Sequence, residues 1–337
     1  MTSETKLLLA AAVLMLVAAP LAVLVAGAAR GGRIRDGRGL VAGGWRCTAL
    51  STLLYVLAFN LTFLIQELFL VIPKALTPGL RPTLFHNNHT WEGTSALANL
   101  FQGTGALATV SIGLFCLWLL GRSRTRSDEV RLLLYWMAFC GCFMALPQIV
   151  IGALSPGSDI GMAMNYFALG AAARTGMALV ALVLMPIIAL QLRRPALELA
   201  AVPALIDGCR ARMRFVFLVV TLPALLGTAL VIPFRLPREW VEVLGVPVLV
   251  VLAGVPWIQA ASWRMDKLKA SGSGATRVRT LACLLAAVVG LLLVFQIVLR
   301  PGIRFYSETG RPSESVCKLV RRLAGRSGSG LSSLAAA

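Results

Sequence analysis

Acidic side chains are scarce in this chain, 14 against 32 lysines and arginines in 337 residues, and charges of both signs make up only 14% of it. An ordinary soluble domain carries about 25%, so a water-facing fold is excluded for most of the sequence. Also missing is any polar stretch long enough to build its own core, which excludes a separate soluble domain. The seven cysteines make no disulfide framework. Cys116, Cys140, Cys142 and Cys283 fall in apolar segments, Cys47 and Cys209 near segment ends and Cys317 in the tail, while Cys140-Gly141-Cys142 has the wrong spacing for a zinc ribbon or a redox pair. Walker, Rossmann, G-x-S-x-G and HExxH patterns are absent.

What the chain has is apolar length. Apolar residues make up 58% of it, and eight stretches, 7–29, 48–72, 96–120, 130–154, 162–192, 215–234, 241–263 and 281–299, each approach or exceed the roughly 20 residues that cross a hydrocarbon layer as a helix. They show no inside/outside alternation and are too long for barrel strands. The expected fold is an all-α integral membrane protein, a bundle of about eight transmembrane helices over 1–299 followed by a basic, Gly/Ser-rich and flexible tail over 300–337. The first stretch is too long for a secretion signal and its charge follows rather than precedes it.

Lysine and arginine collect in every second loop: Arg30, Arg33, Arg35, Arg38 and Arg46; Arg122, Arg124, Arg126 and Arg131; Arg193, Arg194, Arg210, Arg212 and Arg214; Arg264, Lys267, Lys269, Arg277 and Arg279. The alternate loops hold only Lys74 and Arg81, then none, then Arg235 and Arg238. Basic loops resist translocation, so this set is expected in the cytoplasm of a bacterial inner membrane, with both termini outside. The basic tail argues against that placement. The net charge of +18 reads as topology and contact with anionic lipid, and no compact basic domain points to nucleic acid.

The two histidines, His86 and His89, stand in Phe85-His86-Asn87-Asn88-His89-Thr90-Trp91-Glu92, inside the loop 73–95. Three prolines and a glycine over 73–82 stiffen this loop. If 85–92 is helical, His86, His89 and Glu92 share one side and both imidazoles reach one ion. Glu67, about 7 to 8 Å below the end of segment two at 1.5 Å per residue, is a buried carboxylate of the kind that is paired or functional. Asn99, Gln102, Gln148, Asn165 and Arg174 fall in the same outer layer.

These residues support a metal-dependent hydrolase acting on a lipid or membrane-associated substrate. A divalent metal such as zinc would be held by His86, His89 and either Glu67 or Glu92, the other carboxylate would act as general base, and Arg174 would hold an anionic group. A proton- or ion-coupled solute transporter needs a similar polar layer, although segments six to eight offer it mainly Gln259 and Gln296. A non-catalytic assembly or sensory component would use the rigid loop as a docking surface. For Glu67 and Arg174, a plain buried ion pair is the structural alternative.

Overall fold

The computed structural model of the chain describes residues 3–30, 44–122, 127–236, 240–265, 268–274 and 277–306. The tail from 307 onward, with Cys317, and Arg33, Arg35, Arg38, Arg124, Arg126, Arg238 and Lys267 lie outside the described residues. Among the described residues, eight helices are long and apolar enough to cross a membrane: α1 (Ser3–Arg30), α2 (Trp45–Ala75), α3 (Ala96–Arg122), α4 (Asp128–Leu154), α5 (Ala171–Leu197), α6 (Cys209–Arg235), α7 (Val243–Arg264) and α8 (Val278–Leu299). The most apolar stretches of α2 and α4 are 61% and 67% buried, those of α1 and α8 only 11% and 17%. The bundle is therefore built around α2 and α4, with α1 and α8 at its rim.

At the centre, Tyr55 and Phe59 of α2 meet Trp136, Phe139 and Phe143 of α4, all fully buried. Tyr55 packs edge-on to Trp136 at 4.9 Å and Trp136 edge-on to Phe139 at 5.4 Å, the orientation that ring quadrupoles favour. Their polar atoms are matched, as a lipid-embedded core requires. Trp136 Nε1 donates to Ser51 Oγ at 3.0 Å, Ser51 Oγ donates to Val219 O at 2.6 Å, and the Tyr55 and Thr228 hydroxyls lie 2.9 Å apart. Helices in lipid gain little from apolar burial against one another and associate through close packing. Gly141 of α4 lies so near α3 that a Cβ there would stand 2.6 Å from Thr109 O and 2.7 Å from Gly113 Cα.

Three prolines are each preceded by a widened π-turn: Leu14–Ala18 before Pro20, Phe217–Thr221 before Pro223 and Phe295–Leu299 before Pro301. A proline has no N–H to offer the preceding turn, and the local widening absorbs that loss.

A small antiparallel sheet interrupts the all-helical expectation. β1 (Arg81–Leu84) pairs with β2 (His89–Glu92) and with β3 (Ile303–Arg304) in the order β2-β1-β3. Leu84 faces His89 and also Ile303. Beneath the sheet, Val71 of α2, Leu84, and Phe295 and Leu299 of α8 form one apolar cluster. The ends of α2 and α8 therefore lie at the same face, as an even number of crossings between them requires.

Glu4, Leu154 and Arg174 surround one cavity, which puts the start of α1, the end of α4 and the start of α5 together. Asn87 Nδ2 donates to Arg235 O at 2.7 Å, which joins the end of α6 to the face that carries the sheet. At the opposite, basic face, Arg30 lies over Trp263, Arg193 Nη1 donates to Ala261 O, and Arg212 Nη2 donates to Trp263 O.

Three sequence expectations change. Segment five begins at Ala171 rather than at 162, because Asp159–Tyr166 is a separate short helix. That helix is closed by a Leu169 N–H to Met164 O bond, with Ala168 at φ 51°, the left-handed closure usually given to glycine. The Ser/Gly stretch 271–274, whose composition is that of a flexible linker, is strapped to the basic face. Ser271 Oγ donates to Glu198 O at 2.8 Å, Gly272 N–H to Ala200 O at 3.0 Å, and Ser273 Oγ to Asp128 Oδ2 at 2.7 Å. Residues 85–92, expected to be helical if they bind metal, form the turn and second strand of a hairpin instead.

Gly141→Leu should lower stability in detergent by at least about 1 to 3 kcal/mol through overpacking. Equilibrium unfolding in mixed micelles would measure it, and unchanged stability would mean that α3 and α4 do not meet at Gly113 and Gly141.

Candidate functional site

Helix α2 continues through Pro73 to Ala75, one turn beyond the end drawn from the sequence. The proline deprives Phe69 O of its usual helical donor, and the Thr104 hydroxyl of α3 lies 2.5 Å from that oxygen and 2.7 Å from Phe101 O, with one proton to share between the two. The extra turn turns Lys74 inward from the loop, where its charge had been counted, and leaves it fully buried. Lys74, Glu67 and Asn60 stand seven residues apart, so each is only about 20° off the same helix face.

The hairpin supplies the other half. At its base, Gly93 has φ 95°, and a Cβ there would stand 1.9 Å from Gly79 O. No side chain fits that crossing, and the close approach sets β2 across the bundle end. A strand alternates its side chains: His89 and Trp91 are half-buried towards the bundle, while Thr90 and Glu92 are exposed. This is the physical reason why Glu92 does not join His89 as the sequence had suggested.

His89 lies between two buried charges. Its Nδ1 is 2.9 Å from Glu67 Oε2, and its Nε2 is 2.9 Å from Lys74 Nζ and 3.1 Å from Gln102 Oε1. Lys74 Nζ also donates to Gln102 Oε1 at 3.0 Å and sits 4.5 Å from the centre of the Trp91 ring. Trp91 stacks on His89 with ring centres 5.8 Å apart. The side chains of His89 and Glu67 are each 6% exposed. Asp159 is near enough for its charge to act on Lys74 as well.

Gln102 is placed by a break in α3. The helix stops at Phe101, turns at Gln102 and Gly103, and restarts at Thr104. The Gln102 amide points its nitrogen at Met162 Sδ, 3.9 Å away, which leaves its oxygen for the lysine.

Two proton arrangements satisfy the same heavy atoms. In one, the Lys74 ammonium donates to Nε2 of a neutral His89, whose Nδ1–H donates to the Glu67 carboxylate. In the other, the proton has crossed to Nε2, His89 is an imidazolium, and the Lys74 amine accepts. Carboxylate, imidazole and amine thus form a relay whose charges balance in both states, as burial in a medium of low dielectric demands.

Comparison with protein families, with curated proteins and with solved structures returned no match.

The remaining expected residues are dispersed. His86 is buried in the hairpin turn, beside the Asn87 amide that donates to Arg235 O. Gln148 Nε2 donates to Gln66 Oε1 at 3.0 Å, one residue from Glu67. Asn99 is exposed. Asn165 and Arg174 hold each other across the short helix, with Arg174 Nη2 donating to Asn165 Oδ1 at 2.8 Å. The alternative ion pair of Glu67 with Arg174 does not form, because Glu67 pairs with His89. Among the described residues, no three or more His, Cys, Asp and Glu side chains are grouped to hold a metal ion. Zinc coordination at His89 would compete with the Lys74 and Gln102 contacts at Nε2.

The sequence reading missed Lys74 as a site residue. Its signal was available: it stands one heptad after Glu67 and two after Asn60. It also missed how many buried polar side chains α2 carries. Thr48, Ser51, Thr52, Asn60, Thr62, Gln66, Glu67 and Lys74 all lie on α2, half of all the buried polar side chains among the described residues.

Replacing Lys74 by Met leaves the Glu67 carboxylate without a cation across the imidazole and should lower stability by about 3 to 5 kcal/mol. Combining Lys74→Met with Glu67→Gln should recover at least half of that loss, since no unpaired charge remains. Additive losses in an unfolding double-mutant cycle would separate the two residues energetically and argue against the relay.

Proposed function

We propose that this chain is a proton-coupled transporter of a small polar solute, with Glu67, His89 and Lys74 as its coupling site. One observation carries the reading: the relay stands at the head of α2, the helix that holds half of the buried polar side chains among the described residues, from Lys74 to Thr48. That is roughly 39 Å at about 1.5 Å per residue, against a hydrocarbon core of about 30 Å. Ionisable groups inside a membrane bundle are costly, and ion paths and proton relays are among the roles they mark. Segments six to eight are short of polar groups, and α2 carries the largest share of them, with Thr48 and Ser51 bonded to the Leu218 and Val219 carbonyls of α6.

In this reading, a proton arriving from the hairpin face is taken up by the Glu67–His89 pair. The added charge weakens the hold on Lys74, whose ammonium is then free to repel a cation or receive an anion. Breaks in helices are the usual places where transporters form their sites, and the interruption of α3 at Gln102–Gly103 lies against the relay. The hydrolase reading has less support, because Glu92 faces away and both nitrogens of His89 already have partners. The arginine distribution supports a bacterial inner membrane with the hairpin face outside.

Two measurements test this. In a cysteine-free background, Glu92→Cys should react with an impermeant maleimide on intact cells and Ser127→Cys only after permeabilisation; the reverse pattern would invert the orientation. In everted vesicles, pools of amino acids, sugars, organic cations and organic anions should include one that moves protons with the wild type. Glu67→Gln and His89→Ala should each lower the melting temperature, because a partner is removed from a buried charge, and should abolish the signal in vesicles where the variant is still folded at the assay temperature. If no pool moves protons and purified protein carries stoichiometric metal that is lost in His86→Ala/His89→Ala, the transporter reading fails and the hydrolase replaces it.

A further inference from the structure

A second polar site lies at the hairpin face, away from the relay, between the first turns of α1, the end of α4 and the first turn of α5. It is a cavity of about 330 Å3 with Glu4 on one wall and Arg174 on another. At about 30 Å3 per molecule of liquid water, that is room for about ten waters or one small solute. Leu8, which is 2% exposed, and Leu154 give it an apolar lining.

Arg174 is fixed by neutral partners. Its Nε donates to Leu169 O and its Nη2 to Asn165 Oδ1, both at 2.8 Å. Neither cancels its charge, and no ion pair within 4.0 Å joins it to Glu4 among the described residues. The N-cap of α5, Gly170, provides no side-chain acceptor, so the first-turn N–H groups add positive potential at the Arg174 end. An immobilised cation and a carboxylate thus face one cavity without meeting.

We propose that this cavity binds a small zwitterion, with its anionic group at Arg174 and a primary ammonium at Glu4. Two sources share that chemistry: the phosphoethanolamine headgroup of a phospholipid, and a free amino acid or phosphoethanolamine in solution. The lipid has a lateral approach, because α1 forms one wall and its apolar stretch is only 11% buried. The site does not depend on the relay, so its failure would leave the transporter reading untouched.

The test uses the full chain in nanodiscs of phosphatidylcholine doped with phosphatidylethanolamine or phosphatidylglycerol, with retained lipid read by native mass spectrometry. Phosphatidylethanolamine should be retained over both other lipids, since the trimethylammonium of phosphatidylcholine has no N–H to donate and phosphatidylglycerol has no cation. In parallel, glycine and phosphoethanolamine are titrated by calorimetry in pure phosphatidylcholine discs. Retention of the lipid identifies the headgroup as the source, and binding of the free zwitterions identifies a soluble ligand. Glu4→Gln and Arg174→Gln should each weaken whichever binding is seen by about fivefold, the upper end for a pair open to water. Glu4→Gln leaves the Arg174 contacts in place, so its effect at an unchanged melting temperature separates charge from fold. Equal or better retention of phosphatidylglycerol, insensitivity to Glu4→Gln, or no binding in either arm would overturn the proposal.

Discussion

The bridge from Glu67 through His89 to Lys74 is the interaction on which this end of the molecule depends. A carboxylate and an ammonium on one helix, one heptad apart, are too far from each other for direct contact and too deep for water. The imidazole spans the gap and gives each charge a hydrogen-bonded partner. Removing any member would leave a bare ion in a medium of low dielectric, which is why the hairpin carrying His89 has to sit where it does.

From that bridge the outer face follows. The Gly79–Gly93 crossing sets the hairpin over α2. Pairing of β1 with β3 then ties the end of α8 into the same cap, and the Asn87 bond to Arg235 O ties in the end of α6. Helices that are far apart in sequence and at the rim of the bundle are gathered by short polar contacts where the chain leaves the hydrocarbon. Deeper in, the α2–α4 ring cluster and the α3–α4 glycine crossing take over, because close packing is what holds helices together in lipid.

Opposite charges are handled in two ways at this face. In the relay, Glu67 and Lys74 are joined through a shared imidazole and closed off by Trp91. At Glu4 and Arg174 they stand apart across a cavity, with the guanidinium held by uncharged acceptors. The first arrangement suits proton exchange within the protein and the second suits a charged guest.

The sequence by itself determined the class, the eight long apolar helices found among the described residues and the two unlike faces. Hydrocarbon thickness fixes the length of an apolar helix, and translocation sorts loop charge, so both leave marks readable residue by residue. It also marked Glu67, Gln102 and His89 as candidates through their rarity or depth. Only the tertiary structure decided which of them meet. Whether 85–92 is helix or hairpin turns on pairing with Arg81–Leu84 and Ile303–Arg304, the latter more than two hundred residues away, and that choice removed Glu92 and brought in Trp91. Lys74 became a site residue because Thr104, on another helix, offers a shared hydroxyl proton to the carbonyl that Pro73 leaves open, so that α2 runs on where local sequence rules end it. Long-range partners cancelled local penalties in both places, and no local pattern encodes them.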